Sequence, residues 1–294
     1  MKIQKSFSQT QTKGTLYIVP TPIGNLEDMT YRSVSILKQV DFIGAEDTRN
    51  TKKLLNHFDI TTPLVSYHEH NKHTKGPQLI ERLLGQEDIA IVSDAGMPGI
   101  SDPGSDLVER AIDMDIPVVV LPGANAALPA LAGSGLPTEE FHFCGFLPRK
   151  KKDRKVILDR LKPLQATLVF YESPHRLKEM ISHLNEMLGD RKATLARELS
   201  KRYEEYVRGS LSELVEWTNE QEIRGEFCVL VEGSGEEEEA EKESWWSHLS
   251  VIDHVEHYMN TDNMKNKDAI KQTALDRKLP KREVYQAYHV DRET

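Results

Sequence analysis

Apolar and polar residues follow two alternating rhythms over the first half of the chain. Five short runs rich in apolar and β-branched residues are typical of buried strands: TLYIVP, DFIGAE, PLVSYHE, IAIVSD and IPVVVLPG. Each run precedes a segment with helical spacing of its apolar residues: TYRSVSILKQV, TRNTKKLLNHF, PQLIERLLGQ, GSDLVERAIDM and ANAALPALAGS. Repeated strand–helix pairs predict right-handed crossovers and a parallel sheet that helices cover on both faces.

The rhythm changes after the stretch GLPTEE. Strands are predicted at FHFCGF, ATLVFYE, KATLAREL, EEYVRGSL and FCVLVEG, and helices at KKDRKVILDRL, SPHRLKEMISHLNEML and LSELVEWTNE. Because some of these strands follow one another without a helix between them, we expect a mixed sheet in a second α/β domain.

Composition then divides the chain further. The stretch GSGEEEEAEKE has too few apolar residues to fold by itself and is typical of a disordered linker. The segments after it show helical patterns that break at Leu279-Pro280. We therefore predict a flexible tail 1–13, an N-terminal α/β domain 14–134, a linker 135–140, a second α/β domain 141–233, an acidic linker 234–243 and a helical C-terminal extension 244–294.

Charge and cysteine content narrow the class of protein. The 294 residues include 38 basic and 47 acidic side chains, and the net charge of −9 argues against a uniformly basic nucleic-acid coat while allowing a local basic patch. Cys144 and Cys228 lie in apolar runs without the spacing of a metal site, so we expect buried reduced thiols and no bound metal. The sequence has no apolar signal core and no run of about 20 apolar residues, which favours a soluble cytoplasmic protein without membrane partners.

Loops rich in glycine and proline follow three of the predicted parallel strands: PTPIGN, DAGMPGISDPG and PGAN. Ligands of such sheets collect at the carboxyl ends of the strands, where these loops lie. The loops lack both the Lys-Ser/Thr pair of a P-loop and the three-glycine dinucleotide fingerprint, which argues against tight phosphate binding. Backbone groups and carboxylates without a nearby lysine suit a cationic ligand with a ribose, such as S-adenosylmethionine. Three purely structural turns are the alternative interpretation.

Eight segments in order carry a resemblance to a known family: VPTPIGNLEDMTYRS, GAEDTRNTKKLL, SYHEHN, DAGMPGISDPG, LPG, FYESPHRL, ARELSKRYEE and VRGSL. Together they resemble the bacterial ribosomal RNA small-subunit methyltransferase I family of the tetrapyrrole methylase superfamily. The resemblance implies the two-domain α/β fold of class III methyltransferases and a homodimer. It also implies S-adenosylmethionine as cofactor, and methylation of the ribose 2′-hydroxyl of a cytidine in the decoding region of 16S rRNA, not of DNA.

The resemblance also implies which residues meet the cofactor. Carried over by motif, these are Pro20, Thr21, Asp94, Gly96, Met97, Ile100, Ser101, Pro122, Gly123, Ala124 and, from the second domain, Tyr171. The sequence departs from the family pattern at Met97, where Thr is more common, and at Ala124, where Pro is usual. Because alanine is less rigid than proline, the third loop is expected to be looser.

Polar clusters at loop positions supply candidates for the base that takes the ribose proton. The candidate catalytic residues are Glu46, Asp47, His68, Glu69 and Lys201. Two alternatives compete with this interpretation. Asp47 could instead cap the helix that begins near Arg49, and SYHEHN could be a solvated loop.

RNA binding requires positive charge, and RKKKDRK provides it directly after the linker. A solvated helix start is the alternative, although clustered positive charge near a helix N-terminus opposes the helix dipole. A basic C-terminal arm is a second candidate surface. The predicted substrate-binding residues are Arg49, Asn71, Arg149, Lys150, Lys151, Lys152, Arg154, His175, Arg176, Arg197 and Glu198.

Two other functions stay open at this point. The first is an enzyme of the same superfamily that methylates a tetrapyrrole carbon, since a fold alone does not determine a substrate. The second is a non-catalytic RNA-binding ribosome assembly factor that retains a relic cofactor cleft, for which the altered PGAN loop is the support.

Overall fold

The computed structural model describes residues 2–5, 12–235, 246, 248–261, 264–277 and 279–289. The chain forms two compact units, Met1–Ser234 and Gly235–Thr294. Residues 1 and 6–11 of the predicted tail and residues 236–243 of the predicted acidic linker lie outside the described residues.

A five-stranded parallel sheet forms the first half of the larger unit, as the strand–helix alternation predicts. Its strands are β1 (Leu16–Ile18), β2 (Phe42–Ala45), β3 (Leu64–Ser66), β4 (Ile89–Val92) and β5 (Val118–Val120), in the order β3-β2-β4-β1-β5. The helices are α1 (Tyr31–Gln39), α2 (Thr48–His57), α3 (Lys72–Leu84), α4 (Ser105–Asp113) and α5 (Ala127–Ser134). Side chains of β4 alternate between two cores, with Ile89 and Ile91 in one and Ala90 and Val92 in the other. The sheet is therefore buried on both faces.

The second half of this unit contains the predicted mixed sheet. Its strands are β6 (Phe141–Phe146), β7 (Thr167–Glu172), β8 (Lys192–Arg197), β9 (Glu205–Ser210) and β10 (Phe227–Val231), in the order β6-β7-β10-β8-β9. Strands β6 and β7 are parallel and the other pairs are antiparallel. The associated helices are α6 (Lys151–Leu161), α7 (Pro174–Leu188) and α8 (Leu211–Glu220).

Helix α5 joins the two halves. The sequence groups this helix with the first sheet, but Ala130 and Leu131 pack into the apolar core formed by Val169, Ala196 and Leu230 of the second sheet. The hydroxyl of Thr194 also donates to the carbonyl of Ser134, 3.1 Å away. The loop before α5 is thereby held between the carboxyl edge of the first sheet and one face of the second.

The edge of the first sheet at β5 is covered by a residue near the start of the chain. The Gln4 side-chain amide donates to the Val118 carbonyl at 2.8 Å, and the Val118 amide donates to Gln4 Oε1 at 2.9 Å. These two bonds satisfy backbone groups that an edge strand otherwise leaves to solvent or to another chain.

The smaller unit contains three helices, α9 (Val251–Asn260), α10 (Asn266–Asp276) and α11 (Lys281–His289), around an apolar core that includes Val255, Ile270 and Val284. The break between α10 and α11 falls at Leu279-Pro280, as predicted. Trp246 stacks on His254 with ring centroids 5.1 Å apart, so it packs within this unit. Among the described residues, no helix has the length and apolar character to span a bilayer.

Candidate functional site

A cleft of about 480 Å³ opens beyond the carboxyl ends of β1, β4 and β5. The loop after β4, which contains Asp94 to Gly104, forms one wall, and residues at the ends of β7, β8 and β10 form the other. A crevice at this edge of a parallel sheet is where α/β folds bind their ligands. The volume suits a small organic molecule.

Two of the glycine- and proline-rich loops are joined by their backbones. Thr21 and Gly96 donate to each other's carbonyl oxygens, both at 2.9 Å, and the buried Thr21 hydroxyl donates to the Ser93 carbonyl at 3.0 Å. Gly96 has φ of +80°, a conformation that is costly for residues with a Cβ. The glycine thus lets the loop turn at the edge of the cleft while Thr21 holds both of its backbone groups.

Six of the eleven predicted cofactor residues line the cleft: Asp94, Gly96, Met97, Ile100, Ser101 and Tyr171. The other five, Pro20, Thr21, Pro122, Gly123 and Ala124, lie in the loops after β1 and β5 and outside the cleft lining. Gly123 lies so close to Pro20 that an added Cβ would be 2.8 Å from the proline Cβ. The third loop instead reaches the cleft through Asn125 and Ala126, which sequence reasoning missed although they directly follow the PGA motif.

Six carboxylates in the described part of the chain line the cleft, and three of them, Glu46, Asp94 and Asp102, belong to the loops after β2 and β4. Burial, then the negative charges of Glu46 and Asp94, raise the pKa of Asp102 to about 6. Burial and the charge of Asp94 also raise the pKa of Glu46. Asp102 was missed as a site residue, although it lies in the same loop as the predicted Asp94. The cluster concentrates negative charge that a bound cation would relieve.

Apolar side chains form another part of the lining, and they include Met97, Ala196, Leu199, Phe227 and Cys228. Burial raises the pKa of the Cys228 thiol, and that of Cys144, to about 12, so both stay protonated. Both cysteines are free thiols. The cleft therefore pairs an acidic patch with an apolar wall.

Of the five catalytic candidates, Glu46 and Lys201 line the cleft. Asp47 has the alternative role of a helix cap. Its carboxylate accepts a 2.8 Å hydrogen bond from the Arg49 amide at the start of α2. Its hydrogen bonds with Arg49 lower its pKa to about 2, which makes it a weak proton acceptor. Glu69 forms a surface ion pair with Lys72. His68 lies outside the cleft lining, and its amide donates to Asn71.

Lys201 extends from the second half of the unit across a loop of the first. Its ammonium lies 3.1 Å from Glu198 and 3.0 Å from Glu226, and a Cβ added at Gly24 would overlap the lysine side chain. Burial disfavours the charged amine, but the bonds to Glu226 and Glu198 outweigh this effect and raise its pKa. Lys201 is therefore a cation at neutral pH and not a base.

Some of the predicted substrate-binding residues are exposed, whereas others form hydrogen bonds or ion pairs within the protein. Arg149, Lys150, Lys151 and Lys152 are exposed together at the start of α6. Arg154, expected among them, is 1% exposed and pairs with Glu179, which corrects the prediction that it contacts substrate. Its neighbours one and two turns on, Leu158 and Leu161, are core residues, so position 154 lies on the buried face of α6.

The remaining substrate candidates mostly bond within the protein. Arg49 pairs with Asp47, Arg197 with Glu205, and the Asn71 amide donates to the Ser66 carbonyl. Arg176 donates to the Leu147 carbonyl at 2.7 Å and lies 3.3 Å from buried Glu172. His175 is exposed near the start of α7, and Glu198 lines the cleft. Within the described residues, no group of three or more His, Cys, Asp or Glu side chains is arranged to hold a metal ion.

Comparisons with known proteins place this geometry in context. The family model described as tetrapyrrole (corrin/porphyrin) methylases matches residues 15–215. A protein of Halalkalibacterium halodurans named ribosomal RNA small subunit methyltransferase I is 58% identical over 98% of this chain and 99% of its own length. The protein of the same name from Bacillus subtilis is 55% identical over 99% of each chain.

Solved structures share the fold at much lower identity. Uroporphyrin-III-C-methyltransferase from Thermus thermophilus aligns with a TM-score of 0.54 at 19% identity, over 74% of this chain and 94% of its own. A diphthine synthase aligns with a TM-score of 0.58 at 14% identity, over 75% of this chain and 90% of its own. A further structure of the Thermus enzyme is complexed with S-adenyl homocysteine and aligns at 0.52 with 20% identity, over 74% and 97% of the two chains.

Proposed function

Because the chain belongs to the ribosomal RNA small subunit methyltransferase I family of tetrapyrrole methylases, we propose that it transfers a methyl group from S-adenosylmethionine to ribosomal RNA of the small subunit. The acceptor is the ribose 2′-hydroxyl of a cytidine in the decoding region of 16S rRNA. The observation that carries the proposal is the 58% identity over 98% of the chain, a span that includes every loop of the cleft.

The cleft fits this cofactor. Glu46, Asp94 and Asp102 give it an excess of negative charge, which a sulfonium cation offsets. Met97 and Leu199 belong to an apolar wall that the uncharged parts of the cofactor can contact. When bound, S-adenosylmethionine supplies an electrophilic methyl group on a positively charged sulfur.

Glu46 is the base that this geometry favours. Its carboxylate lines the cleft, and burial raises its pKa, which makes the carboxylate a stronger proton acceptor than an exposed glutamate. Glu46 would accept the proton of the ribose hydroxyl on a carboxylate oxygen, while bound S-adenosylmethionine would supply the methyl group and keep the electron pair of the broken carbon–sulfur bond as a neutral thioether. Asp47 is less suited because its carboxylate is already bonded to Arg49, and Lys201 because it is protonated.

Orientation of the reactants contributes more than the base. Holding two bound reactants in line is worth up to about 7–11 kcal/mol, whereas general base catalysis gives roughly 10²–10⁴-fold. The paired backbones of Thr21 and Gly96 and the Lys201 side chain across Gly24 brace the two walls of the cleft. These contacts support a rigid binding site.

The exposed basic residues at the start of α6 are the proposed contact to RNA phosphates. Strand β6, which precedes these basic residues, ends at Phe146 in the cleft lining. The positive charge therefore begins close to the cleft. A small carboxylated macrocycle does not require such a surface.

The alternative functions have weaker support. Methylation of a tetrapyrrole carbon is the activity named for a protein 19% identical to this chain, against 58% for the ribosomal RNA enzyme. A relic, non-catalytic cleft was suggested by the altered third loop, yet that loop still presents Asn125 and Ala126 to the cleft. With both departures from the family pattern present, Glu46, Asp94 and Asp102 still line the cleft.

We further propose that the protein acts in the cytoplasm, where ribosomal subunits are assembled, and as a homodimer. The family resemblance supports both statements. Sedimentation equilibrium tests the second, with an expected mass about twice the 33.5 kDa of one chain.

The experiment that tests the proposed function compares acceptors. Purified protein is incubated with radiolabelled S-adenosylmethionine and either unmethylated small ribosomal subunits or uroporphyrinogen III. Incorporation into the RNA alone is expected. Incorporation into the macrocycle alone would instead support the first alternative, and tight cofactor binding without transfer to either would support the second.

A further inference from the structure

One aromatic side chain lines the cleft and is also open to solvent. Phe146 ends strand β6 and is 55% exposed, whereas Tyr171 is half-buried and Phe227 is buried. A single exposed apolar residue is common on a protein surface, but Phe146 lies among the cleft-lining residues, where its ring is open to a bound ligand. Its position raises the question of what covers it during the reaction.

Phe146 is the outer member of a row of three rings. The Tyr171 ring contacts Phe143 at a centroid distance of 5.1 Å and Phe146 at 5.7 Å, both edge to face. Phe143 and Tyr171 pack against the core that α5 forms with the second sheet. The inner two rings therefore hold the outer ring in a defined orientation.

The backbone after Phe146 is also held in place. Leu147 is buried, and its carbonyl accepts a 2.7 Å hydrogen bond from the Arg176 guanidinium. Arg176 is anchored in turn by Glu172, whose side chain is fully buried. The Phe146 ring and the backbone after it are thus held in place before any ligand binds, which lowers the entropy cost of binding.

Positive charge follows directly along the chain. Arg149 to Lys152 are exposed, and they begin three residues after Phe146. A basic track beside an exposed aromatic ring is the combination with which proteins bind unpaired nucleic acid, since phosphates contact the cations and bases stack on the ring. Neither feature alone indicates a nucleic-acid ligand, but their adjacency at the cleft mouth favours one.

We propose that Phe146 is the stacking platform for the target nucleobase, and that the acceptor nucleotide enters the cleft unpaired. Its base stacks on the Phe146 ring while flanking phosphates contact Arg149 to Lys152. The nucleotide must leave any helical stack to reach the carboxylates of the cleft. This inference rests on the proposed function and specifies the substrate subsite at the same cleft.

Three substitutions at one position test the proposal: Phe146→Ala, Phe146→Leu and Phe146→Trp. Methyl transfer to unmethylated small subunits should fall about 5- to 150-fold in kcat/KM for the first two, mainly through KM, because the base no longer has a ring to stack on. Tryptophan should retain activity because it keeps a ring. Affinity for S-adenosylhomocysteine, measured by calorimetry, should not change in any variant.

A binding measurement gives a second readout that does not require transfer. Stacking quenches the fluorescence of pyrrolocytidine, so an unpaired oligoribonucleotide carrying this base should lose intensity with the wild-type protein and with Phe146→Trp, but not with Phe146→Leu. Phe141→Ala is the matched control, since Phe141 is 44% exposed at the opposite end of β6 and outside the cleft lining. It should behave as wild type.

Wild-type behaviour of Phe146→Leu in both assays would overturn the proposal, because a ring would then be unnecessary. A parallel loss of S-adenosylhomocysteine affinity in Phe146→Ala would also overturn it by assigning the ring to the cofactor. Failure of the proposed function looks different, since the wild-type protein itself would then transfer no methyl group to RNA.

Discussion

Thr21 and Gly96 exchange two backbone hydrogen bonds of 2.9 Å although they belong to loops 75 residues apart in sequence. The bridge ties the loop after β1 to the loop after β4, and the Thr21 hydroxyl adds a third bond, to the Ser93 carbonyl. A cleft wall made of loops is thereby given the rigidity of a short sheet. Cofactor binding should depend on this bridge.

The first prediction concerns the backbone of the bridge. Gly96→Ala should lower the unfolding free energy by roughly 1–2 kcal/mol, because φ of +80° is unfavourable for alanine. It should also weaken binding of S-adenosylhomocysteine. Chemical denaturation and calorimetry measure the two effects. Gly76→Ala is the control, since Gly76 lies inside α3 with open space at its Cβ position and should gain up to about 1 kcal/mol. Equal effects of the two substitutions would contradict this account.

The second prediction is a pH dependence of stability. The pKa of Asp102 is about 6 in the folded protein against 3.8 ordinarily, so the folded state binds the extra proton between these values. Stability from this group is therefore greatest at low pH and is lost as pH rises from about 4 to about 6. Asp102→Asn should remove that decline, measured as the urea midpoint at each pH. If the urea midpoint of Asp102→Asn depends on pH as that of the wild-type protein does, burial and the neighbouring charges do not raise the pKa of Asp102.

The same carboxylates predict a charge preference among ligands. S-adenosylmethionine carries a positive sulfur and S-adenosylhomocysteine does not, so the first should gain relative affinity as Asp102 ionises above about pH 6. Calorimetric titrations of both ligands at several pH values measure this ratio. A ratio that does not vary with pH, or that falls as pH rises, would be inconsistent with a sulfonium near this cluster.

A fourth prediction tests the contact between the two halves of the larger unit. Gly24→Ala should cost about 1–3 kcal/mol of stability, because the new methyl group overlaps Lys201 and displaces it from Glu198 and Glu226. Combined with Lys201→Ala, the same substitution should cost much less. A double-mutant cycle by urea denaturation gives the coupling energy. Strictly additive effects would mean that the two residues do not touch.

The basic surface provides the fifth prediction. Lys150→Gln and Lys151→Gln together should reduce RNA affinity, and the slope of its logarithmic salt dependence should flatten by about 1 for each phosphate that the protein no longer binds. Cofactor affinity should stay the same. Lys162→Gln is the control, because it removes a positive charge at the far end of α6. It should leave the salt dependence unaltered. If Lys162→Gln changes the slope as much as the Lys150 and Lys151 substitutions do, the effect results from net charge and not from a local contact with RNA.

Most of the fold could be predicted from the sequence because burial imposes simple periods. Continuous apolar runs such as IAIV, followed by loops rich in glycine and proline, indicate strands covered on both faces, and Leu279-Pro280 indicates the end of a helix. Helix α5 could not be assigned to its sheet in this way. Its apolar pattern requires a partner, but the partner is determined by tertiary packing against Val169 and Ala196.

The site was only partly predictable for similar reasons. Sequence motifs locate loops, and the motif DAGMPGISDPG was enough to select Asp94 and Gly96 as candidates. Motifs do not show which side chains of a loop turn into a cleft. Asp102 and Phe146 were missed because their importance depends on neighbours distant in sequence. Arg154 was misjudged as exposed, although its helical spacing from Leu158 and Leu161 could have revealed its burial.

The most direct test of the central claim is to identify the methylated atom. Small subunits lacking the modification are incubated with the protein and S-adenosylmethionine, and the RNA is digested to nucleosides and analysed by mass spectrometry. We expect one 2′-O-methylcytidine per subunit with the wild-type protein and a greatly reduced yield with Glu46→Gln. A methyl group on a base, or on a ribose other than cytidine's, would contradict the assignment of this cleft.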